Sequence, residues 1–266
     1  MNQATNGPKP WVLISGATSG FGEATALTLS ASGWNILLAG RRQARLERVS
    51  EACRAAGAEA HIAAWDVRDR EATDEGVAKL MNAAGLGSGD SDCKLRALVN
   101  NAGLAVGKGP FDEGLDDDWS RMLDTNVKGL LFLARACVPY MYAGSRMVNM
   151  GSIAGKQVYT GGNVYCASKH AVDALSQAMR IDLVDRGIGV SQICPGAAET
   201  EFSMVRFKGD VQAAEAVYQG YDPLVAHDIA EAVEFVLSRP GHVCINDMVI
   251  MPTAQASAHH WNKQPS

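Results

Sequence analysis

Short apolar runs alternate along the chain with stretches in which apolar residues recur at helical spacing, as in βαβ units around a buried parallel sheet. The predicted strands are Trp11–Ser15, Trp34–Ala39, Ala60–Trp65, Ala97–Asn100, Arg146–Met150, Gly189–Cys194 and Cys244–Ile250. The predicted helices are Gly22–Ser32, Gln43–Ala56, Arg70–Ala83, Asp118–Tyr142, Val164–Arg186 and His227–Ser238, with a shorter helix at Val211–Tyr218. The pattern predicts an α/β fold, a Rossmann-type doubly wound sheet of about seven parallel strands with helices on both faces.

Length favours one folding unit. The 266 residues fit one large α/β domain. We predict a flexible N-terminal tail at residues 1–9, a single domain at residues 10–266, and a C-terminal tail at residues 251–266 within it. A Gly/Ser/Asp stretch at Ala84–Asp92 is expected to form a surface loop.

Composition removes several classes of protein from consideration. The formal charge of −5 argues against a nucleic-acid partner, which favours a basic face. The six cysteines form no C-x-x-C pair and lie mostly in apolar stretches, as is typical of proteins in a reducing compartment.

The chain begins with no apolar signal-peptide core and contains no apolar run of membrane-spanning length. A cytoplasmic protein with no membrane partner follows. The zinc motif H-E-x-x-H is absent, and no metal site is expected.

The first predicted strand runs into a glycine-rich segment from Ser15 to Gly22 that opens a helix. Its three glycines, at G-x-x-x-G-x-G spacing, let the backbone turn tightly and let a pyrophosphate approach the helix N-terminus. A glycine-rich turn without a ligand is the alternative interpretation.

The second predicted strand ends at Gly40-Arg41-Arg42. An acidic residue at this point of a dinucleotide fold binds the ribose 2′-hydroxyl, whereas arginine accommodates a 2′-phosphate. The two arginines therefore favour NADP over NAD, because a guanidinium matches phosphate geometry. An ordinary basic helix cap is the alternative, although cations suit a helix N-terminus poorly. Asp66-Val67, after the third strand, is suited to the adenine edge, and Asn100–Gly103 follows the fourth strand.

The strongest constellation follows the fifth predicted strand. Tyr165 and Lys169 are four residues apart in a helical stretch, so they lie on one face. A free phenol has a pKa of about 10, which a nearby ammonium lowers toward a useful value for proton transfer. Ser152 follows the strand and is placed to hydrogen-bond the same substrate oxygen. In isolation, a Tyr-x-x-x-Lys pair more often lies on a solvated helix face and has no catalytic role.

Taken together, these segments resemble the short-chain dehydrogenase/reductase family over nearly the whole chain. The chain contains the family's motifs in order. They are the glycine motif, the N-N-A-G segment, the helical N-x-x-G asparagine, the serine thirteen residues before the tyrosine, the Tyr-x-x-x-Lys pair and the later Pro-Gly. They stand at Ser15–Gly22, Asn100–Gly103, Asn126, Ser152, Tyr165–Lys169 and Pro195-Gly196.

The resemblance implies a dinucleotide-binding catalytic domain and assigns roles to residues. Tyr165 exchanges the proton, Lys169 lowers the pKa of Tyr165 and holds the nicotinamide ribose, Ser152 orients the substrate oxygen, and Asn126 supports a proton-relay water. These four are the expected catalytic residues. The expected NADP(H)-binding residues are Ser15, Gly16, Thr18, Ser19, Gly20, Phe21, Gly22, Arg41, Arg42, Asp66, Val67, Asn101, Ala102, Gly103, Tyr165, Lys169, Pro195, Gly196 and Thr200.

A narrower resemblance concerns the substrate. Gly161–Tyr165, Thr200–Asp210 and Met251-Pro252-Thr253 look like bacterial NADP-dependent 3-hydroxy acid dehydrogenases, which act on serine, L-allo-threonine and 3-hydroxypropionate, and like reductases of sulfoacetaldehyde. The departures are Cys166, where glycine is frequent, and Ala197–Glu199. The resemblance implies a lid at about residues 197–222. The candidate substrate-binding residues are Ile153, Asn163, Glu201, Phe202 and Arg206.

The leading hypothesis is an enzyme that interconverts a small acidic hydroxy compound and its carbonyl with NADP(H). Arg206 is its candidate anion-binding residue, and a surface arginine balanced by Glu201 is the alternative. A reductase of a neutral or larger carbonyl and a catalytically silent NADP-binding regulator are the competing functions. The resemblance also implies a homotetramer, in which we expect the C-terminal tail to cover a neighbour's pocket.

Overall fold

The computed structural model describes residues 8–88 and 94–264. Residues 1–7 of the predicted N-terminal tail, residues 89–92 of the predicted loop and residues 265–266 of the C-terminal tail therefore lie outside the described residues. Among the described residues, the strands are β1 Trp11–Ser15, β2 Asn35–Gly40, β3 Ala60–Ala64, β4 Leu95–Asn100, β5 Met141–Met150, β6 Gly189–Pro195, β7 Ala198–Glu199, β8 Leu224–Val225 and β9 Asp247–Ile250. The α-helices are α1 Gly20–Ala31, α2 Gln43–Ala55, α3 Arg70–Ala83, α4 Asp116–Leu123, α5 Leu130–Cys137, α6 Asn163–Asp182, α7 Phe202–Arg206, α8 Val211–Ala216 and α9 Ala226–Leu237.

Seven of the strands form one parallel sheet in the order β3-β2-β1-β4-β5-β6-β9. Alternate residues of β1 supply the two layers beside the sheet: Val12 and Ile14 pack with the first, Leu13 with the second. The first layer includes residues of α1, α2 and α9, and the second includes residues of α3 and α5. This confirms the predicted doubly wound α/β fold with helices on both faces.

The order of the sheet reverses between β1 and β4. Ligands on such sheets bind beyond the carboxyl ends of the strands, in the crevice at the point of reversal. The glycine-rich segment follows β1, the N-N-A-G segment follows β4, and Ser152 follows β5. The fold therefore collects all three motifs at one edge of the sheet.

The single helix predicted at Asp118–Tyr142 is wrong in detail. Residues 124–129 form a π-helical turn between α4 and α5, and a 3₁₀ turn at Val138–Tyr140 ends the helical stretch. Pro139 lies in that turn, where it interrupts helical hydrogen bonding, so Met141 and Tyr142 belong to β5 instead. The last strand is also shorter than predicted, since its ladder begins with Gln192 opposite Asp247.

A separate two-stranded sheet positions the segment over the crevice. β7 pairs in parallel with β8, and α7 and α8 lie in the chain between them. We call residues 198–225 the lid. Its two strands form a stem, so the helices of the lid are held at both ends.

Candidate active site

Ser152 and Tyr165 meet in one cavity of about 650 Å³. Ser152 precedes a 3₁₀ turn after β5, and its hydroxyl accepts a hydrogen bond from the Ala154 amide at 3.1 Å. Tyr165 lies in the first turn of α6 and is buried. A hydroxyl donor and a phenol on the wall of one cavity are suited to hold the oxygen of a carbonyl or alcohol.

Lys169 lies one turn after Tyr165 on α6 and is buried. Its ammonium donates a hydrogen bond to the Met150 carbonyl at 2.8 Å, and burial lowers its pKa to about 8. The side-chain amide of Asn126, from the π-helical turn, exchanges two hydrogen bonds of 2.8 Å with the backbone of Leu104. Gly103 lies between the two side chains: a Cβ there would approach Asn126 Oδ1 to 3.2 Å and Lys169 Nζ to 3.6 Å.

The electrostatics of Tyr165 differ from the expectation that Lys169 lowers its pKa. Burial raises the pKa of Tyr165 well above the ordinary value, and the Tyr159 phenol raises it further. Ser152 and Arg206 act in the opposite direction. The ammonium of Lys169 is directed at the Met150 carbonyl. The phenol of Tyr165 therefore stays protonated across the neutral range.

The glycine-rich segment has the backbone that its sequence predicts. Gly16 and Gly20 have positive φ values of 64° and 53°, which favour glycine. A Cβ at Gly22 would overlap the Gly16 carbonyl oxygen, so only glycine fits this turn. Ser15 is fully buried, and its hydroxyl accepts hydrogen bonds from the Asn101 and Ala102 amides at 3.0 Å each.

Ser15 and Asn101 thus join the loops after β1 and β4. The Asn101 side chain donates to the carbonyl oxygens of Ser15 and Gly16 at 2.9 and 3.4 Å. Their side chains shape the crevice at which the cofactor is expected to bind. Val67 packs at Gly129 of the π-helical turn, where a Cβ would come within 2.8 Å of it.

The two arginines after β2 have different surroundings. Arg42 donates to the Thr18 hydroxyl at 2.7 and 3.0 Å and to the Ser19 hydroxyl at 2.7 Å, so it lies against the glycine-rich segment. Arg41 is more exposed and lies 3.8 Å from the Asp66 carboxylate. Asp66 is also paired with Arg68 at 2.7 Å.

The lid reaches both ends of the crevice. Thr200 lies beside the glycine-rich segment, 3.4 Å from where a Cβ of Gly20 would stand, and the ring centroids of Phe202 and Tyr165 are 5.6 Å apart. Arg206 donates to the Tyr159 hydroxyl at 2.7 Å, and its Nε is buried with no hydrogen-bond partner among the described residues. A cation therefore lies at the substrate end of the cavity.

Two candidate substrate residues lie elsewhere than expected. Glu201 pairs with Arg42 at 3.0 Å and with Arg45 at 2.5 Å, rather than with Arg206 or a substrate amine. Arg206 is the fifth residue after Glu201 along the short helix α7, so their side chains point to different sides of it. Asn163 donates to the Gly109 carbonyl at 3.1 Å and lines a neighbouring cavity. Ile153 and Phe202 do line the cavity of Tyr165.

Comparison with known proteins agrees with this geometry. The family model described as short chain dehydrogenase matches residues 10–210. The chain belongs to this family. Sulfoacetaldehyde reductase of Chromohalobacter salexigens is 42% identical over 92% of this chain and 94% of its own. The NADP-dependent 3-hydroxy acid dehydrogenase of Escherichia coli is 41% identical, over 93% and 96% respectively. The closed form of serine dehydrogenase complexed with NADP⁺ is 39% identical, with a TM-score of 0.83, over 96% of this chain and 100% of its own.

These similarities confirm the predicted short-chain dehydrogenase family, the oxidoreductase class, the small-molecule substrate and the NADP cofactor. Within residues 8–88 and 94–264, no helix is both long and apolar enough to cross a bilayer. In the same part of the chain, no three metal-ligating side chains come together.

Sequence reasoning missed several residues of this short-chain dehydrogenase site. Tyr159 bonds Arg206, and Arg45 bonds Glu201, yet neither belongs to a motif. From the C-terminal tail, Gln255 is buried and accepts a hydrogen bond from the Ala197 amide at 2.9 Å, while Trp261 lines the cavity. The tail thus lies over the cavity of its own chain. The signal for Arg45 was its place one helical turn after Arg41 and Arg42.

Proposed function

We propose that this oxidoreductase interconverts a small acidic hydroxy compound, a 3-hydroxy acid or a hydroxysulfonate, and its carbonyl with NADP(H). The observation that carries the proposal is the position of Arg206 beside Tyr165. A buried guanidinium Nε without a protein partner is costly unless a ligand satisfies it. A carboxylate or sulfonate accepts hydrogen bonds from a guanidinium in two-pronged fashion.

The charge of the cavity wall supports an anionic substrate. Among the described residues that line the cavity, Lys108, Arg206 and Lys263 carry positive charge, and none is aspartate or glutamate. A cavity of one sign focuses an electrostatic field and attracts the oppositely charged ligand. The names of the similar enzymes, which specify serine, 3-hydroxy acids and sulfoacetaldehyde, agree with a small and charged substrate.

The proposed catalytic roles are those that the family resemblance implies, and the positions of the side chains support them. Bound NADP(H) supplies or accepts the hydride. In reduction, the protonated phenol of Tyr165 donates its proton to the carbonyl oxygen, and in oxidation the phenolate accepts the alcohol proton. Ser152 orients that oxygen from the same cavity wall. Lys169 holds the nicotinamide ribose, and Asn126 fixes the Leu104 backbone beside Lys169 and supports a relay water.

The cofactor is proposed to bind along the crevice. Its pyrophosphate lies at the glycine-rich turn, where Gly16, Gly20 and Gly22 leave the helix N-terminus accessible. Its 2′-phosphate is bound by Arg42, which Thr18 and Ser19 hold in place, and by Arg41. The remaining contacts are assigned to Phe21, Asp66, Val67, Ala102, Gly103, Pro195, Gly196 and Thr200.

A substrate panel tests the proposal. Initial rates are measured with NADP and serine, L-allo-threonine, 3-hydroxypropionate or isethionate, and then with NADPH and acidic or neutral aldehydes of matched size. We expect the acidic compounds to have kcat/KM values at least tenfold above those of the neutral ones, since a charged hydrogen bond contributes about 1.5–3 kcal/mol. Equal values for both classes would contradict the proposal.

A reductase of a neutral or larger carbonyl is the second candidate. The observation that favours it is the size of the cavity, about 650 Å³, and the presence of Phe202, Val217 and Trp261 on its wall. The same panel, extended to bulky ketones, decides between the two. A silent NADP-binding regulator would show cofactor binding without turnover on any member of the panel.

Assembly and compartment are further proposals. Ile181 at the end of α6 is 73% exposed, and Val249 of the edge strand β9 is 46% exposed. Apolar side chains on α6 and on the sheet edge support a homotetramer in which these elements pair across dyads. Light scattering at micromolar concentration is expected to give about four times the chain mass of 28.2 kDa, and a value near 28.2 kDa would refute the tetramer.

The compartment is proposed from the cysteines. The thiols are free at Cys53, Cys137, Cys166, Cys194 and Cys244, which supports a location in the reducing cytoplasm.

A further inference from the structure

Glu201 of the lid is bound by two arginines from the opposite side of the cofactor crevice. One carboxylate oxygen accepts a hydrogen bond from Arg42 at 3.0 Å, and the other accepts one from Arg45 at 2.5 Å. Arg42 is itself fixed by hydrogen bonds to Thr18 and Ser19. The carboxylate is therefore held between two guanidinium groups, of which that of Arg42 is fixed against the glycine-rich segment.

The Glu201 carboxylate is ionised at neutral pH. Partial burial raises the pKa of Glu201, but the hydrogen bonds from Arg45 and Arg42 outweigh it and hold the pKa below its ordinary value. The three side chains remain between 41% and 48% exposed. Because water screens such pairs, each contributes little to stability, and an anion of higher charge is able to displace the carboxylate.

The contact also ties the lid to the glycine-rich segment. Thr200, the residue before Glu201, lies 3.4 Å from the Cβ position of Gly20. Helix α7 begins at Phe202, directly after Glu201, and carries Arg206 at its end. Separation of Glu201 from the arginines therefore removes the ion pairs between the lid and the cofactor side of the crevice, and leaves this end of the lid held by its stem.

We infer that Glu201 is a cofactor-specificity residue that competes with the 2′-phosphate of NADP(H) for Arg42 and Arg45. The phosphate displaces the carboxylate and so removes these contacts of the lid, whereas NAD(H), which has no 2′-phosphate, leaves the Glu201 contacts intact. Arg45 is thereby added to the phosphate site. The inference rests on the proposed placement of the 2′-phosphate at Arg42.

The decisive variant is Glu201→Gln, which keeps the shape of the side chain and removes its charge. The matched control is Glu199→Gln, a nearby exposed lid carboxylate that makes none of the ion pairs found among the described residues. Dissociation constants are measured by calorimetry for NADPH, NADH, 2′,5′-ADP and 5′-AMP. We expect Glu201→Gln to tighten NADPH and 2′,5′-ADP by about three- to tenfold, as the loss of two exposed ion pairs allows. NADH, 5′-AMP and the control variant are expected to change little.

Hydrogen exchange gives a second readout that does not depend on turnover. Lid amides at 200–210 are expected to exchange faster in Glu201→Gln without cofactor, and 2′,5′-ADP is expected to cause the same increase in the unmodified protein. Amides of α9 serve as the internal reference. An unchanged or weaker affinity of Glu201→Gln for 2′,5′-ADP, or an equal change for NADPH and NADH, overturns the inference.

Two further variants separate failure of the inference from failure of the phosphate placement. Arg42→Gln and Arg45→Gln are each expected to weaken 2′,5′-ADP by about tenfold or more while sparing 5′-AMP. If Arg42→Gln leaves 2′,5′-ADP unchanged, the phosphate placement itself is wrong. If Arg42→Gln weakens 2′,5′-ADP but Arg45→Gln does not, Arg45 is no part of the phosphate site and the inference is overturned as stated.

Discussion

The guanidinium carbon of Arg206 lies 5.6 Å from the ring centroid of Tyr165, and 5.3 Å from that of Tyr159. The cation that is proposed to bind the substrate anion therefore lies directly beside the proposed proton donor. When Arg206 binds the acidic group of a 3-hydroxy acid, a short carbon chain connects that group to the β-carbon and the reacting oxygen. This places the reacting oxygen near the phenol of Tyr165. Substrate choice and proton transfer are thus connected through this pair.

Tyr165→Phe tests the proton donor. The change keeps the ring and removes only the hydroxyl, so NADPH binding is expected to survive while kcat falls by about 10²–10⁴, the usual contribution of a general acid–base group. Calorimetry measures the binding, and absorbance at the nicotinamide band measures turnover. Tyr142→Phe, at the distant start of β5, is the matched control. Turnover near that of the unmodified protein would remove Tyr165 from the mechanism.

Arg41→Ala with Arg42→Ala tests the cofactor assignment. The KM for NADP is expected to rise by one to two decades per lost charged hydrogen bond, each of about 1.5–3 kcal/mol, while the KM for NAD changes far less. Arg48→Ala serves as control, because Arg48 lies on α2, the helix that follows Arg42, but pairs with Glu23 at 2.8 Å. Equal losses with both cofactors would mean that the two arginines act on the fold.

The pH dependence follows from the environment of Tyr165. Its raised pKa keeps the phenol protonated, so kcat/KM for reduction is expected to be flat through neutrality. Above pH 8 reduction is expected to fall, since Lys169, whose pKa burial lowers to about 8, loses its charge there. Oxidation needs the phenolate, so its kcat/KM is expected to rise with pH, by up to about tenfold per pH unit through neutrality and less steeply above pH 8, where Lys169 loses its charge. An oxidation rate that is constant between pH 6 and 9 would contradict these assignments.

Motifs with fixed spacing made the chemistry of the chain predictable, because Ser152, Tyr165 and Lys169 belong to consecutive elements of one βα unit. The partner of Glu201 was not predictable, since 159 residues separate it from Arg42 and only the folded sheet brings them together. The pKa of Tyr165 escaped prediction for a related reason. Its burial depends on packing against the lid, and spacing alone gives no measure of that.

The C-terminal tail is expected to hold the lid stem. Gln255 accepts a hydrogen bond from the Ala197 amide, next to β7, and Trp261 packs against Tyr221 with ring centroids 5.0 Å apart. Truncation after Pro252 removes both contacts and is expected to raise the KM for the substrate. Gln255→Leu is the matched point variant: it removes the contact with the Ala197 amide without adding charge, so it is expected to raise KM in the same direction but less than the truncation. An unchanged KM after truncation would show that the tail has no role at the cavity.

Arg206→Met tests how the substrate is recognised. Methionine nearly preserves the length of the side chain and removes its charge, so the packing against Tyr159 and Tyr165 is expected to persist. We expect kcat/KM for acidic substrates to fall at least tenfold, about 1.4 kcal/mol or more of lost transition-state binding, and neutral carbonyls to be spared. Arg70→Met, an exposed position on α3 paired with Asp74, controls for loss of a surface cation. If acidic and neutral substrates lose activity equally, Arg206 shapes the lid and does not recognise charge. Added guanidinium ion gives a further check, because partial rescue for acidic substrates alone places the missing cation in contact with the anion.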